Sequence, residues 1–327
     1  MKVLVLGGSG YIGSRLCATL QGSGWADVVR ASSRPRAGNA IQVDTRDAAG
    51  MREALRGVDA VVNCVAGDAR SIASGAQVLT DAALAAGCMR IVHLSSMSVY
   101  GAQEGELGED SRTDPSLGWY GKAKCEAERE MQRFSQAGGM AVVLRPGCVW
   151  GPGSSLWVER IGQWLQGGRL GDLGADGDGW SNLVHVDDVC RAAIAGLQLP
   201  FAARSAPVFN LAGPDSPRWN EFFADFAVAI GATPVRRIPR LQLMLDARVA
   251  GPALQVARIA LRRAGLPAAS VPAPVTPGLL GLWKRHLRLD CRAAERELQL
   301  AWTPYTATLA QCSAWYTQGV RAAVPAA

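Results

Sequence analysis

No apolar run in this chain of 327 residues approaches the 18 that a membrane span needs, so no transmembrane segment is expected. The eight cysteines, at 17, 64, 88, 125, 148, 190, 291 and 312, form no CxxC and no paired metal spacing. No metal site is therefore expected. Cys17, Cys64 and Cys148 lie in apolar segments and read as buried free thiols of a reducing compartment. A basic run is also missing: the net charge of +6 comes from scattered arginines, which suits an anionic cofactor but is a poor footprint for nucleic acid. Charged residues make up only 19% against 49% hydrophobic, which argues against disorder and leaves one large or two modest domains with a sizeable core. The first residues already read as a strand, so a signal peptide is not expected and a cytoplasmic location is.

What is present is concentrated first in Met1 to Leu16, MKVLVLGGSGYIGSRL. Val3 to Leu6 form the short continuous apolar run of a parallel strand buried on both faces. Gly7, Gly10 and Gly13 follow with GxxGxxG spacing, and a helix is expected from Tyr11. Without Cβ atoms such a turn can tighten, and its backbone can approach a pyrophosphate held on the N–H groups of the helix terminus. The alternative is a glycine turn with no ligand; dinucleotide binding is favoured.

Farther along, strand and helix patterns alternate. Strands are expected at 27–31, 41–43, 58–65, 90–95 and 140–145, and helices at 51–56, 74–86 and 121–136. That order predicts an α/β fold, a doubly wound parallel sheet with right-handed crossovers that binds ligands outside the carboxyl ends of its strands. At the end of strand two, where an acidic residue would accept hydrogen bonds from the adenosine ribose, the chain reads Ala31-Ser32-Ser33-Arg34-Pro35-Arg36. Arg34, helped by Ser32 or Arg36, can pair with a ribose 2′-phosphate, so NADP is preferred over NAD; a solvated loop arginine is the alternative.

Strand five runs into Ser95-Ser96-Met97-Ser98-Val99-Tyr100-Gly101, and 24 residues beyond Ser96 comes Tyr120-Gly-Lys-Ala-Lys124. Tyr120 and Lys124 share a helix face, where the ammonium would lower the phenol pKa and fit Tyr120 for proton transfer. Ser96 could orient the same substrate oxygen.

With GGSGYIG at 7–13, Asp44 after strand three, HLSSMSVYG at 93–101, YGKAK at 120–124, LRPGCVWGPG at 144–153 and LVHVDDV at 183–189, most of the chain resembles the extended short-chain dehydrogenase/reductase family, also called the NAD-dependent epimerase/dehydratase family. The resemblance implies a Rossmann-type sheet with a smaller, mostly helical C-terminal substrate domain. It implies Ser96, Tyr120 and Lys124 as the catalytic group, with Lys124 also holding the nicotinamide ribose. The expected cofactor contacts are Gly7, Ser9, Gly10, Tyr11, Ile12, Gly13, Ser33, Arg34, Asp44, Thr45, Val65, Ala66 and Pro146, with Tyr120 and Lys124. It leaves the oligomeric state open, a homodimer through the helix carrying Tyr120 being frequent in the family.

The dinucleotide-binding domain is expected over 1–150, with 183–200 returning to it, and the substrate domain over 151–327. The residues expected at the substrate are Ser96, Met97, Tyr100, Cys148, Trp150, Trp157 and Trp180, although Tyr100 is equally suited to packing under the catalytic loop. His185 reads as a structural histidine, and Asp187 as the cap of a helix from Val189. The stretch 234–277 reads as a helical lid in preference to a membrane-surface helix. Trp180-Ser181-Asn182-Leu183 and Pro146-Gly147-Cys148 resemble the reductase and hydroxysteroid-dehydrogenase branch more than the nucleotide-sugar branch. An NADP-linked reductase or dehydrogenase acting on an apolar ketone or alcohol is thus favoured. Arg236, Arg237 and Arg240 could still grip a diphosphate, which keeps a sugar epimerase or dehydratase with bound NAD as the alternative. A non-catalytic NADP sensor is disfavoured by the intact Ser96, Tyr120 and Lys124.

Overall fold

The structure, a computed structural model, describes residues 1–34, 40–114, 116, 118–264 and 273–323. In chain order the elements are β1 (Lys2–Leu6), α1 (Tyr11–Ser23), β2 (Asp27–Ser32), β3 (Ala40–Gln42), α2 (Ala48–Ala54), β4 (Ala60–Asn63), α3 (Ala69–Ala86), β5 (Arg90–Leu94), β6 (Gly105–Leu107), α4 (Gly118–Gln136), β7 (Met140–Pro146) and β8 (Cys148–Trp150). They continue with α5 (Ile161–Gln166), β9 (Leu183–His185), α6 (Val186–Gln198), β10 (Val208–Leu211), α7 (Trp219–Ala229), α8 (Arg240–Leu245), α9 (Gly251–Arg263), α10 (Pro277–Lys284), β11 (Leu287–Leu289), α11 (Arg292–Glu297) and α12 (Tyr305–Ala323). They fold into two compact units: Met1–Val149, Val184–Pro214 and Leu289–Trp302 form one, and Trp150–Leu183, Asp215–Arg288 and Thr303–Ala327 the other.

The first unit is built on a seven-stranded parallel sheet in the order β10-β7-β5-β4-β1-β2-β3. Strand alternation feeds two cores. Val3 and Val5 of β1 enter one with Leu16, Cys17 and Leu20 of α1 and Val189 and Ala193 of α6. Leu4 and Leu6 enter the other with Leu79 and Ala83 of α3 and Ala127, Met131 and Phe134 of α4. Each such valine or leucine, taken fully from water, contributes about 1.5–3 kcal/mol. Both faces of the sheet are therefore covered, which accounts for the unbroken apolar run of β1. The chain leaves β1 toward β2 and β3 on one side and β4, β5 and β7 on the other, so the strand order reverses between β1 and β4. A crevice opens at such a reversal, outside the carboxyl ends of the strands.

Caps set several helix boundaries. Asp68 accepts from the Ser71 N–H and starts α3 at Ala69, ahead of the expected residue 74, and a left-handed Gly87 ends it. His185 caps α6: its Nδ1 accepts from the Asp187 N–H at 3.1 Å, so the helix starts at Val186. This corrects the reading of Asp187 as the cap. Asp187 lies in the first turn and pairs with Arg15 at 2.6 and 2.8 Å.

In the second unit, aromatic rings from α7 form the core: Trp219, Phe222, Phe223 and Phe226 are buried, with Trp283 of α10 against Phe223 and Tyr316 of α12 against Phe226. The helix α12, running from Tyr305, is absent from the sequence reading.

Candidate active site

The loop after β1 is shaped by backbone contact. Gly7 has φ +75°, the left-handed region that favours glycine, and its carbonyl accepts from the Gly10 N–H at 2.9 Å. A Cβ on Gly13 would lie 2.3 Å from the Gly7 carbonyl oxygen, so only glycine lets α1 close on the loop. The N-cap, Gly10, brings no side-chain acceptor to the start of α1. First-turn N–H groups have no acceptor within the helix, so this end suits an anion.

The loop forms one wall of a cleft of about 1080 Å³. Twelve of the expected cofactor contacts line it: Gly7, Ser9, Gly10, Tyr11, Ile12, Gly13, Ser33, Arg34, Asp44, Thr45, Val65 and Ala66. The tight glycine cradle and this cleft at the strand-order reversal fit a dinucleotide. At the β2 side the Arg34 N–H donates to Ser32 Oγ at 3.3 Å, and the Ser32 hydroxyl to the Arg34 carbonyl at 3.2 Å. Arg34 is exposed, and Arg36 lies outside the described residues. Asp44 accepts two bonds from the Arg46 guanidinium, at 3.0 and 2.8 Å, which hold its pKa down at about 2. Sequence reasoning missed Arg46 and Asp68, although each follows a strand end that it had marked.

At the end of β4, Asn63 Oδ1 accepts from the Val65 N–H at 3.1 Å, and its amide nitrogen lies 3.2 Å from His93 Nδ1. The second ring nitrogen of His93, Nε2, is buried without a hydrogen-bond partner among the described residues. Burial and the nearby Lys124 hold the His93 pKa well below its usual value, so the ring is neutral.

Ser96 follows β5, and its Oγ accepts from the Ser98 N–H at 3.2 Å. The Tyr120 phenol lies close enough to the Ser96 side chain for the serine to favour its ionised form. Lys124, one turn along α4, is buried. Its Nζ donates to the carbonyls of Leu94 at 2.6 Å and Val65 at 3.2 Å and lies 5.8 Å from the Tyr120 ring centroid. Gly121 lets α4 approach, since a Cβ there would meet the Ser98 carbonyl at 2.7 Å.

The electrostatics differ from the expectation. Burial pushes the Tyr120 phenol above its ordinary value of 10, and the nearby Ser96 side chain offsets this only in part. Burial also lowers Lys124 from 10.5 to about 8, against the opposing pull of Cys64 and Glu128. A buried ammonium turned toward two carbonyls does not reverse the desolvation of a phenol nearly 6 Å away.

Tyr100 belongs to the core. It is fully buried, and its hydroxyl donates to Asn210 Oδ1 at 2.6 Å and accepts from Arg145 Nη1 at 3.0 Å. These contacts match the reading of Tyr100 as a residue packed beneath the loop. Arg145 also grips Glu128 through two bonds of 3.0 and 2.7 Å, and Ser95 Oγ donates to Glu128 at 2.5 Å. Glu128 sits four residues after Lys124 and interrupts the apolar stripe of α4, the one sequence signal for this buried pair. Pro146 ends β7 in the core and Cys148 is buried, its thiol pushed up by desolvation. Met97 is half-buried on the turn after Ser96.

In the second unit Trp150 is buried, stacked on Tyr305 at 5.5 Å, so it packs the core rather than presenting a free face. Trp157 is half-buried against Trp219, and the guanidinium groups of Arg218 and Arg288 lie over the Trp180 ring, 4.6 and 4.8 Å from its centroid. Arg237 pairs with Asp172 at 2.5 Å and Arg240 with Asp176 at 3.5 Å, which engages two of the three arginines considered for a diphosphate.

The profile of the NAD dependent epimerase/dehydratase family matches residues 3–212. The chain belongs to this family. It is an NAD(P)-dependent enzyme of the extended short-chain dehydrogenase/reductase type, as the resemblance implied. A 2-alkyl-3-oxoalkanoate reductase of Stenotrophomonas maltophilia (strain K279a) is 28% identical over 258 residues, 71% of this chain and 76% of the reductase. A UDP-glucose 4-epimerase of Neisseria gonorrhoeae is 27% identical over 294 residues, 73% of this chain and 86% of the epimerase. Among solved structures, MoeE5 in complex with UDP-glucuronic acid and NAD superposes with a TM-score of 0.73 at 25% identity, covering 99% of this chain and 100% of that one. Reductases, epimerases and dehydratases thus share the framework.

Proposed function

We propose that this enzyme transfers hydride between NADP(H) and a ketone or secondary alcohol on a largely apolar substrate. The observation that carries the reading is the placement of Tyr120 beside Ser96, one helical turn from the buried Lys124 ammonium that is bonded to the Leu94 and Val65 carbonyls. The nicotinamide, when bound, supplies or accepts the hydride. In the reductive direction Tyr120 gives its phenolic proton to the carbonyl oxygen of the substrate, and Ser96 Oγ donates a hydrogen bond to the same oxygen. The phenolate left on Tyr120 is steadied by the Lys124 charge and regains its proton from solvent. Tyr120 is protonated near neutral pH, as the acid of a reduction must be. The 2-alkyl-3-oxoalkanoate reductase among the relatives supports an oxo group on an alkyl framework.

For the cofactor, support comes from Arg34 on the cleft wall and from the lack of a carboxylate at the end of β2. Arg34→Ala should weaken NADPH binding about 10- to 100-fold, the worth of charge-assisted hydrogen bonds to a phosphate, and leave NADH unchanged. Fluorescence titration of both nucleotides checks this, and equal losses would overturn the assignment. The second reading is a nucleotide-sugar epimerase or dehydratase with retained NAD. Its support is the MoeE5 complex with UDP-glucuronic acid and NAD together with the epimerase relative.

A further inference from the structure

The helical stretch from Arg240 to Arg263 is continuous through a π-turn at Asp246–Ala250 and, at about 1.5 Å per residue, is roughly 35 Å long. Eleven large apolar side chains are exposed among the described residues, and five stand here: Leu241, Leu245, Val249, Val256 and Ile259, between 44% and 71% exposed. Leu241, Leu245, Val249 and Ala253 follow one another at four-residue steps and line one open apolar groove of about 950 Å³. The same 24 residues hold five arginines and one acidic residue, Asp246. That aspartate is engaged by Arg169 through bonds of 3.0 and 2.5 Å, and Asp176, which faces Arg240, also lies near Lys284. Arg248 and Arg263 are exposed.

We propose that this face docks on an anionic lipid bilayer, the helix lying in the plane of the surface. An apolar face along a helix with arginine as its dominant charge is the composition that partitions into the headgroup boundary, where anionic lipid neutralises the cations. A second copy is the poorer occupant. A twofold contact through this face would set the same arginines against each other, whereas an anionic surface complements them. The stretch does not span: no helix among the described residues is long and apolar enough to cross a membrane.

Co-sedimentation of the full-length protein with phosphatidylcholine vesicles, with and without phosphatidylglycerol, tests the proposal. Binding is expected only with phosphatidylglycerol present. Leu245→Glu and Val249→Glu should each weaken it about 10-fold or more, and the double reversal Arg248→Glu/Arg263→Glu should abolish it. All four side chains are exposed, so thermal melting should be unchanged and a binding loss is not a folding loss. No binding to either vesicle, equal binding to both, or wild-type binding by these variants would overturn the proposal. So would variants that keep vesicle binding but shift the KM for a ketone or a monomer–dimer balance, which would assign the face to substrate or to a second copy.

Discussion

Tyr120→Phe is expected to lower turnover of the best carbonyl substrate by about 10²- to 10⁴-fold, the usual worth of a positioned general acid. The NADPH dissociation constant should change far less than the rate, because the substitution removes a single hydroxyl from one of the many expected cofactor contacts. The phenyl ring keeps the packing and removes only the phenolic hydroxyl beside Ser96. Steady-state rates with ketones of increasing alkyl length, alongside nucleotide titration, separate the two effects. Full activity in the variant would place proton transfer elsewhere. A rate loss matched by an equal loss of NADPH affinity would make Tyr120 a binding residue.

Lys124→Met is expected to abolish activity while changing stability little near neutral pH. Two opposed terms nearly cancel. The ammonium leaves water at a cost, visible in its fall from 10.5 to about 8, equivalent to about 3 kcal/mol. Its removal leaves the Leu94 and Val65 carbonyls without that donor, costing about 1–3 kcal/mol each. The pH dependence gives the sign. Below pH 8 lysine is protonated in both states, and the folded state carries the desolvation penalty. Between about 8 and 10.5 the unfolded chain binds a proton that the folded chain does not, so wild-type stability rises with pH relative to the methionine variant. Urea unfolding of both proteins at the two ends of that window measures the difference. A constant or falling difference would contradict a buried, strained ammonium.

The fold was legible where one physical cause dominated. The apolar run at Val3–Leu6 had to be a strand covered on both faces, and Gly7, Gly10 and Gly13 had to be a tight turn before a helix. The YxxxK pair announced itself against the serine strand. Boundaries moved where a cap decides them: Asp68 and His185 look like ordinary loop residues until their side chains are seen accepting N–H groups. Polar residues that serve the interior were missed because a lone Glu128, Arg145 or His93 reads as surface until the fold brings its partner near. The Tyr120 shift was misread for a related reason. Spacing shows that Lys124 is close, but it shows neither the depth of burial nor the carbonyls toward which the ammonium turns. Trp150, expected at the substrate, and Tyr100, equally suited to the substrate pocket or to packing under the catalytic loop, are buried in their units.

The measurement that tests the central claim most directly is the identity of the nucleotide carried by freshly purified protein, followed by titration with NADPH and NADH. An enzyme that exchanges its cofactor in every cycle should emerge without tightly held nucleotide and bind NADPH more tightly than NADH. NAD⁺ retained through purification would contradict that account and assign the site to an epimerase or dehydratase that regenerates its cofactor within each turnover.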